Sequence, residues 1–370
     1  MKKSEEKIKV LHVLGSMNMG GIQTFLMNIF RKIDREKYAF DFACMNSKNL
    51  FQEEIESLGG NLYCIGRYRK IGKHRRALYE LFDKNKYDYV HIHSGNAICV
   101  IDAILVKMYD RKQKVIYHSH NASAKMKKIH AFFKLLIPFF TDLRFACSNE
   151  AAQWMYPKSI VDKKRYAVIS NGIDVEKFKY SKDTAVEVRA ELGLNDELVV
   201  GHVGRIDKQK NHKFLLEIFS KIVDKKANSK LLLVGTGPLE NEIRALAEKL
   251  GIQDKVLFGG LRKDVERVLC ACDVFCLPSL FEGLGIVNIE AQACGLPCYI
   301  SDVISDEVVV TPLIKKESLE AAAEVWAEKI CSEKAENRES YNQIVAQSKY
   351  ALEYTVKKIC TFYDGSVAKM

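Results

Sequence analysis

Ile8-Lys9-Val10-Leu11-His12-Val13-Leu14 runs into Gly15-Ser16-Met17-Asn18-Met19-Gly20-Gly21, and a helical pattern follows from about Ile22. That order is strand, glycine-bearing turn, helix. The apolar run is short and ends in the turn, so even behind Lys2-Lys3 it reads as a first strand and not as a signal peptide. The same unit restarts at Leu198–Val203, continues through Gly204-Arg205-Ile206-Asp207-Lys208-Gln209-Lys210-Asn211, and enters a helix near 210–224. Between and beyond these points, strands are expected at 40–45, 61–65, 89–93, 114–118 and 144–147, then at 230–234, 255–258, 273–277 and 297–300. Helices are expected near 239–250 and 284–295, with 318–363 helical to its end. Strands alternating with helices predict the α/β class: two Rossmann-like, doubly wound parallel sheets covered on both faces. Ligands in such sheets bind beyond the carboxyl ends of the strands, so two facing domains are expected to enclose a cleft. The turn cluster Ser170-Asn171-Gly172-Ile173-Asp174, leading into the polar stretch 176–190, reads as the linker.

Composition agrees with two domains. The 370 residues exceed what one core serves comfortably, and 48% hydrophobic with 28% charged residues exclude a disordered chain. Residues 1–170 hold 30 Lys and Arg against 16 Asp and Glu, whereas the remainder is slightly acidic. One lobe is therefore expected to meet an anionic partner. Two segments carry the excess. Residues 67–76 are Arg67-Tyr68-Arg69-Lys70-Ile71-Gly72-Lys73-His74-Arg75-Arg76. Residues 125–140 mix lysines with Ile129, Phe132, Phe133, Leu135, Leu136, Phe139 and Phe140, a pattern suited to an anionic membrane surface or to a core-packed helix with solvated lysines. No nucleic-acid motif accompanies the charge. The eleven cysteines lie mostly in apolar runs and lack zinc-ribbon spacing, which fits buried thiols in a reducing cytoplasm. No apolar run reaches the ~20 residues that span a bilayer.

The chemistry concentrates in Pro278-Ser279-Leu280-Phe281-Glu282-Gly283-Leu284-Gly285-Ile286-Val287-Asn288-Ile289-Glu290. Gly283 and Gly285 permit backbone amides to approach a diphosphate at a helix start, while Glu282 in the loop and Glu290 on the helix offer acceptors to sugar hydroxyls. Gly20 and Gly21 read as a second such approach, although the spacing matches neither a Walker loop nor a dinucleotide fingerprint. Behind Gly204, Arg205 and Lys210 are cations suited to a diphosphate leaving group. The chain contains no Asp-x-Asp pair, so these cations are expected to take the place of a metal ion. Gly235-Thr236-Gly237-Pro238 and Phe258-Gly259-Gly260-Leu261 are turns after strands. His118-Ser119-His120-Asn121 ends another strand, and His91 and His93 lie one strand earlier; imidazole at such positions serves either acid–base work or the core.

Taken in order, Gly20-Gly21, Asn171-Gly172-Ile173-Asp174, Gly204-Arg205 with Lys210, Gly235-Thr236-Gly237-Pro238, Glu282 with Glu290, and Gly295-Leu296-Pro297 resemble the retaining glycosyltransferases of family 4, which have the GT-B fold. Seven residues separate the two glutamates, the family's most specific mark. The segment Met19-Gly20-Gly21-Ile22-Gln23-Thr24 and His118-Ser119-His120-Asn121 resemble in particular the bacterial enzymes of capsule and exopolysaccharide assembly.

The resemblance implies an acceptor-binding domain over 1–172 with 346–370 returning to it, and a nucleotide-sugar domain over 173–345. It further implies that Glu282 binds hydroxyls of the donor hexose and Glu290 the ribose. Arg205 and Lys210 would hold the diphosphate, with Gly20, Gly21, Gly204 and the amides of Gly283, Leu284, Gly285 and Ile286 around it, and His120 would approach the transferred sugar. No cofactor or metal is expected. The expected partners are a nucleotide-sugar, a glycan or lipid-linked acceptor, and an anionic membrane surface, with the protein cytoplasmic or peripheral on the inner face of the membrane. Two other readings stay open: a nucleotide-sugar epimerase of the same architecture, and a non-catalytic sugar-nucleotide-binding protein.

Overall fold

A computed structural model describes residues 6–18, 20–121, 127–282, 284–333 and 337–366. The chain forms two units, Met1–Gly172 with Leu352–Met370, and Ile173–Ala351. The first contains a parallel sheet of β1 (Ile8–Leu14), β2 (Tyr38–Cys44), β3 (Leu62–Cys64), β4 (Tyr89–Ser94), β5 (Lys114–Ser119), β6 (Leu143–Ala146) and β7 (Ala167–Val168), in the order β3-β2-β1-β4-β5-β6-β7. The second contains β8 (Leu198–Val203), β9 (Ser229–Val234), β10 (Val256–Gly260), β11 (Val274–Leu277), β12 (Cys298–Ser301) and β13 (Ile314–Glu317), in the order β10-β9-β8-β11-β12-β13. In both sheets the chain winds outward in one direction and then resumes on the other side of its first strand. The strand order therefore reverses between β1 and β4, and again between β8 and β11, and these are the crevices where open α/β sheets bind ligands.

Alternation along the strands divides each unit into two apolar layers. In β9, Leu231 and Leu233 pack on one face while Leu232 and Val234 pack on the other. In β11, Val274 and Cys276 oppose Phe275 and Leu277 in the same way. In β1, Leu11 and Val13 join one layer, and Val10 and Leu14 join the other, beneath Phe25, Leu26 and Ile29 of the helix Gly21–Lys32.

The last helix, Leu352–Tyr363, completes the layer under that helix, contributing Leu352, Ile359, Phe362 and Tyr363. Asp364 just beyond accepts from the Tyr38 hydroxyl at 2.6 Å and pairs with Lys37 at 2.8 Å. Residues 346–351 stay with the second unit, where the Ile173 N–H donates to the Tyr350 carbonyl at 2.9 Å.

Several elements differ from the sequence expectation. The stretch 176–190 is not a linker: a 3-10 turn, Val175–Phe178, precedes the helix Lys182–Glu191. Ser181 caps that helix by accepting from the Thr184 N–H, and Ala185 with Val188 enters the core, a stripe too narrow to stand out among charges. The expected helix over 284–295 is shorter, Val287–Ala293, because Gly285 at φ 61° and Gly295 at φ 68° bound it with left-handed residues. Among the described residues, the region 318–363 contains three helices, Ala323–Ser332, Arg338–Ala346 and Leu352–Tyr363. Strands β7 and β13 were not expected, the first because it is two residues long and the second because Lys315 and Lys316 disguise an edge strand.

Candidate functional site

In the second unit, the site loops follow β8, β9 and β11, at and beside the reversal of strand order. The loops after β8 and β9 are locked together. Gly204 N–H donates to the Val234 carbonyl at 2.9 Å, Ile206 N–H to the Thr236 carbonyl at 3.1 Å, and Leu239 N–H to the Ile206 carbonyl at 3.2 Å. A Cβ on Gly237 would lie 2.1 Å from the Ile206 carbonyl oxygen, so only glycine admits this approach. The loops border a cavity of about 620 Å³ lined by Gly204, Arg205, Gly235, Thr236, Leu261 and Arg262, among others. Arg205 is exposed there, and among the described residues it has no ion-pair partner. Arg262 is different. Asp264 grips it through two bonds of 2.8 and 2.7 Å and Glu191 adds a third at 2.9 Å, so its charge is neutralised within the fold.

The loop after β11 leans on the loop after β8: Leu280 N–H donates to the Gln209 carbonyl at 2.9 Å. Glu282 then receives Lys210 Nζ at 2.6 Å, Gln209 Nε2 at 3.0 Å and the Ser279 hydroxyl at 3.3 Å. Both members of the ion pair are largely shielded, with side chains 14% and 11% exposed. Lys210 and Glu282 therefore touch each other in this state, whereas the sequence reading gave them separate ligands. The carboxylate retains lone pairs for further donors, because two oxygens accept about four bonds. Lys210 is placed by the turn at Asp207, whose carboxylate accepts from the Gln209 and Lys210 amides, and its aliphatic stem lies against Gly204.

Gly283 lies outside the described residues. The amides of Gly285 and Ile286 have no acceptor among the described residues, while Leu284 is half-buried beside them. Glu290 lies one turn into the helix, its N–H bonded to the Ile286 carbonyl at 3.1 Å. Burial, reinforced by nearby Glu266 and opposed by Lys177, pushes its carboxyl up to about 7.

In the first unit, Gly20 and Gly21 are exposed at the start of the helix Gly21–Lys32, after β1. Gln23 Nε2 donates back to the Ser16 carbonyl at 2.7 Å and closes that loop; Met19 lies outside the described residues. His120 sits just past β5, half-buried, its N–H donating to the Ser94 carbonyl at 2.9 Å and its ring against Phe25 at 5.2 Å. His91, His93 and His118 are buried within the sheet layer and are not surface candidates.

The two basic segments divide. In 67–76, Arg69, Lys70, Lys73, Arg75 and Arg76 are exposed, but His74 is buried, bonded to Asp102 at 2.7 Å and to the Gly66 carbonyl at 2.8 Å. In 125–140, Lys125 and Met126 lie outside the described residues, and the helices Lys127–Lys134 and Ile137–Phe140 with the turn between them expose Phe132, Leu135 and Phe139. Lys134 is turned inward, donating to the Gln153 and Trp154 carbonyls. Among the described residues, no helix is long and apolar enough to cross a membrane.

Sequence reasoning missed Gln209 and Ser279, which hold Glu282. It also passed over Asn288, fully buried behind Gly285 with neither amide atom partnered among the described residues. Gln209 was quoted within its loop without a role, since only the crossing of two loops brings it to Glu282. Asn288 carried one legible signal, a polar residue on the buried face of a helix.

Two Rossmann-like parallel sheets with loops of this kind at their reversal points define the GT-B class of glycosyltransferase. The family model for Glycosyltransferase Family 4 matches residues 19–177, and that for Glycosyl transferases group 1 matches residues 186–349. The chain is 34% identical to "Putative glycosyltransferase EpsF" of Bacillus subtilis (strain 168), covering 98% of this chain and 97% of that protein. It is 29% identical to the UDP-Gal:alpha-D-GlcNAc-diphosphoundecaprenol alpha-1,3-galactosyltransferase of Escherichia coli, covering 84% and 83%. Anabaena HepE, solved in complex with UDP and glucose, superposes with a TM-score of 0.79 at 20% identity, covering 97% and 100% of the two chains. The chain belongs to the family 4 and group 1 glycosyltransferases, and it is an enzyme of that kind.

Proposed function

We propose that this glycosyltransferase moves a hexose-type sugar from a nucleotide-sugar, taken as a UDP-sugar, to a glycan or lipid-linked acceptor of surface polysaccharide assembly, with retention and without a metal. The observation that carries the reading is the Lys210–Glu282 pair beside exposed Arg205, at the strand-order reversal of the second unit. Arg205 and Lys210 neutralise the diphosphate, and the amides of Leu284, Gly285 and Ile286, with those of Gly20, Gly21 and Gly283, add donors to it; Gly204 only borders the site, because its amide is spent on the Val234 carbonyl. Glu282 accepts from hexose hydroxyls, Glu290 from the ribose, and His120 serves the transferred sugar. As the bond between the anomeric carbon and the phosphate oxygen breaks, positive charge grows on the sugar and negative charge on the diphosphate. Fixed cations then stabilise the transition state more than the ground state. The acceptor oxygen bonds to the anomeric carbon on the face the phosphate leaves, and its proton passes to the departing phosphate oxygen. The absence of an Asp-x-Asp pair supports side-chain cations in place of a metal.

The relatives' printed activities support the donor and acceptor classes, since the Escherichia coli protein is named for a UDP-sugar donor and a diphosphoundecaprenol acceptor. Exposed Ile129, Phe132, Leu135 and Phe139 beside Lys127 and Lys128 support attachment to an anionic membrane surface. The test is acceptor-dependent release of UDP by purified protein across a set of nucleotide-sugars, with Glu282→Ala as control. Loss of release in a folded Glu282→Ala variant is the expected result. Conversion of a UDP-sugar into its epimer without any acceptor would sink the transferase reading.

A further inference from the structure

Two buried thiols of the second unit touch. Cys270 lies in the last turn of the helix Val265–Ala271, Cys294 follows the helix Val287–Ala293, and their Sγ atoms are 3.7 Å apart. Arg338 fixes that contact. Its Nε donates to the Cys294 carbonyl at 3.1 Å, its Nη1 to the Cys272 carbonyl at 2.8 Å and its Nη2 to the Leu269 carbonyl at 3.2 Å, so one guanidinium holds the ends of both helices. Nη2 also lies 3.3 Å from the Cys294 sulfur. Among the described residues no carboxylate pairs with Arg338, which leaves a thiolate as the counter-charge within its reach.

The neighbouring thiols differ. Burial pushes Cys272, Cys276 and Cys298 up, and among the described residues none of them has a second sulfur within hydrogen-bond reach. Cys270 moves the other way: hydrogen bonding with Cys294, helped by the Arg338 charge, brings its thiol below the ordinary range in spite of burial. Although only 4% exposed, Cys270 lines a cavity of about 460 Å³ with Tyr180, Lys182, Arg189 and Arg338, so a small neutral oxidant has a way in.

The same two helices carry a facing pair one turn earlier. The Cys294 N–H donates to the Glu290 carbonyl at 3.1 Å, the Cys270 sulfur lies 3.4 Å from the Glu266 carbonyl, and Glu266 is the charge that helps to raise the Glu290 carboxyl. Closing the 3.7 Å contact to a disulfide of about 2.05 Å shifts both chains at this end, and a short helix passes that shift to Glu290.

We propose that Cys270 and Cys294 form a peroxide-sensitive dithiol, reduced in the active enzyme, whose disulfide displaces Glu290 and weakens nucleotide binding. The Cys270 thiolate attacks one oxygen of hydrogen peroxide, the O–O bond breaks, and Cys270 becomes a sulfenic acid while the departing hydroxide takes a proton and leaves as water. The Cys294 sulfur then attacks the Cys270 sulfur, forming the disulfide and releasing a second water. Two thiols lose two electrons, and one peroxide becomes two waters. The effect on binding rests on the role of Glu290 proposed above; the disulfide does not.

The test treats reduced full-length protein with increasing hydrogen peroxide, blocks free thiols by alkylation, and maps the denatured chain by mass spectrometry. Cleavage after Glu266, Glu282, Glu290 and Glu307 puts Cys270 and Cys294 on separate peptides. The expected result is a Cys270–Cys294 link that forms before exposed Cys64 is oxidised and that dithiothreitol reverses. No link at peroxide levels that already oxidise Cys64, or a link from Cys270 to another cysteine, would overturn the proposal. Calorimetry with UDP reads the consequence: Kd should rise about tenfold on oxidation, recover on reduction, and stay constant in Cys294→Ser. Cys270→Ala carries that comparison if the first variant fails to fold. An unchanged Kd in linked wild-type protein overturns the switch. Reduced protein that binds no nucleotide, while the link still forms, refutes the function proposed above and leaves the dithiol standing.

Discussion

Arg205 and Lys210 carry the same charge in one loop, yet the structure gives them different energetic roles. Arg205 is exposed, so Arg205→Ala should change stability by no more than about 0.5 kcal/mol while cutting transfer by about a hundredfold or more. Lys210 is bound to a shielded carboxylate, so Lys210→Met should cost about 1–3 kcal/mol of unfolding free energy. The double variant Lys210→Met with Glu282→Gln should regain most of that loss and remain inactive. Additive losses in a denaturant double-mutant cycle would contradict the coupling. Glu290 gives a pH signature. Its folded carboxyl is raised from 4.5 to about 7, so no penalty exists below pH 4.5, stability falls as pH rises between those values, and the full penalty is present above 7. That penalty is about 3 kcal/mol at most. Glu290→Gln should therefore raise Tm relative to wild type at pH 8 and lose the advantage by pH 5; an equal gap at both pH values would refute the shift. Arg205, Lys210, Glu282 and Glu290 stand out in the sequence because each lies in a continuous loop or the helix that follows it. The pairing of Lys210 with Glu282 does not, because 72 positions separate the two side chains.

At the scale of elements, boundaries followed backbone conformation more than apolar patterning. The helix carrying Glu290 starts late because Gly285 takes φ 61°, where a side chain is strained and would also meet Glu282 Cγ at 2.9 Å. The loop after β9 is equally constrained, and Gly237→Ala should force it away from Ile206. The expected outcome is a loss of about 1–3 kcal/mol together with weakened binding of UDP, read by calorimetry, since the displaced loop lines the cavity. The short helix Lys182–Glu191 was hidden for the opposite reason. Lys182, Asp183, Glu187, Arg189 and Glu191 dominate its sequence while its two core contacts, Ala185 and Val188, are sparse.

For the whole molecule, the return of the chain matters most. Leu352, Ile359, Phe362 and Tyr363 are buried in the first unit, and burial of such side chains stabilises by about 1.5–3 kcal/mol each. Residues 1–172 expressed alone should therefore aggregate or bind a hydrophobic dye, and a peptide spanning 352–366 should restore cooperative unfolding, while 173–351 should fold unaided. Membrane attachment is a second prediction at this scale. Binding to anionic vesicles should fall steeply with salt and with Lys127→Glu plus Lys128→Glu; binding indifferent to both would remove the electrostatic component. The amino-acid sequence by itself determined the alternation of strands and helices, the two-sheet class, and the glycine-bearing loops at the strand ends, because periodicity and glycine-rich turns act over a few residues. Only the tertiary structure decided that Glu282 is held by Lys210 and Gln209, that four histidines are enclosed in the first sheet with His120 at its margin, and that the last helix completes the first core. Those outcomes depend on which strands become neighbours, and strand order is set by long-range packing that no local pattern encodes.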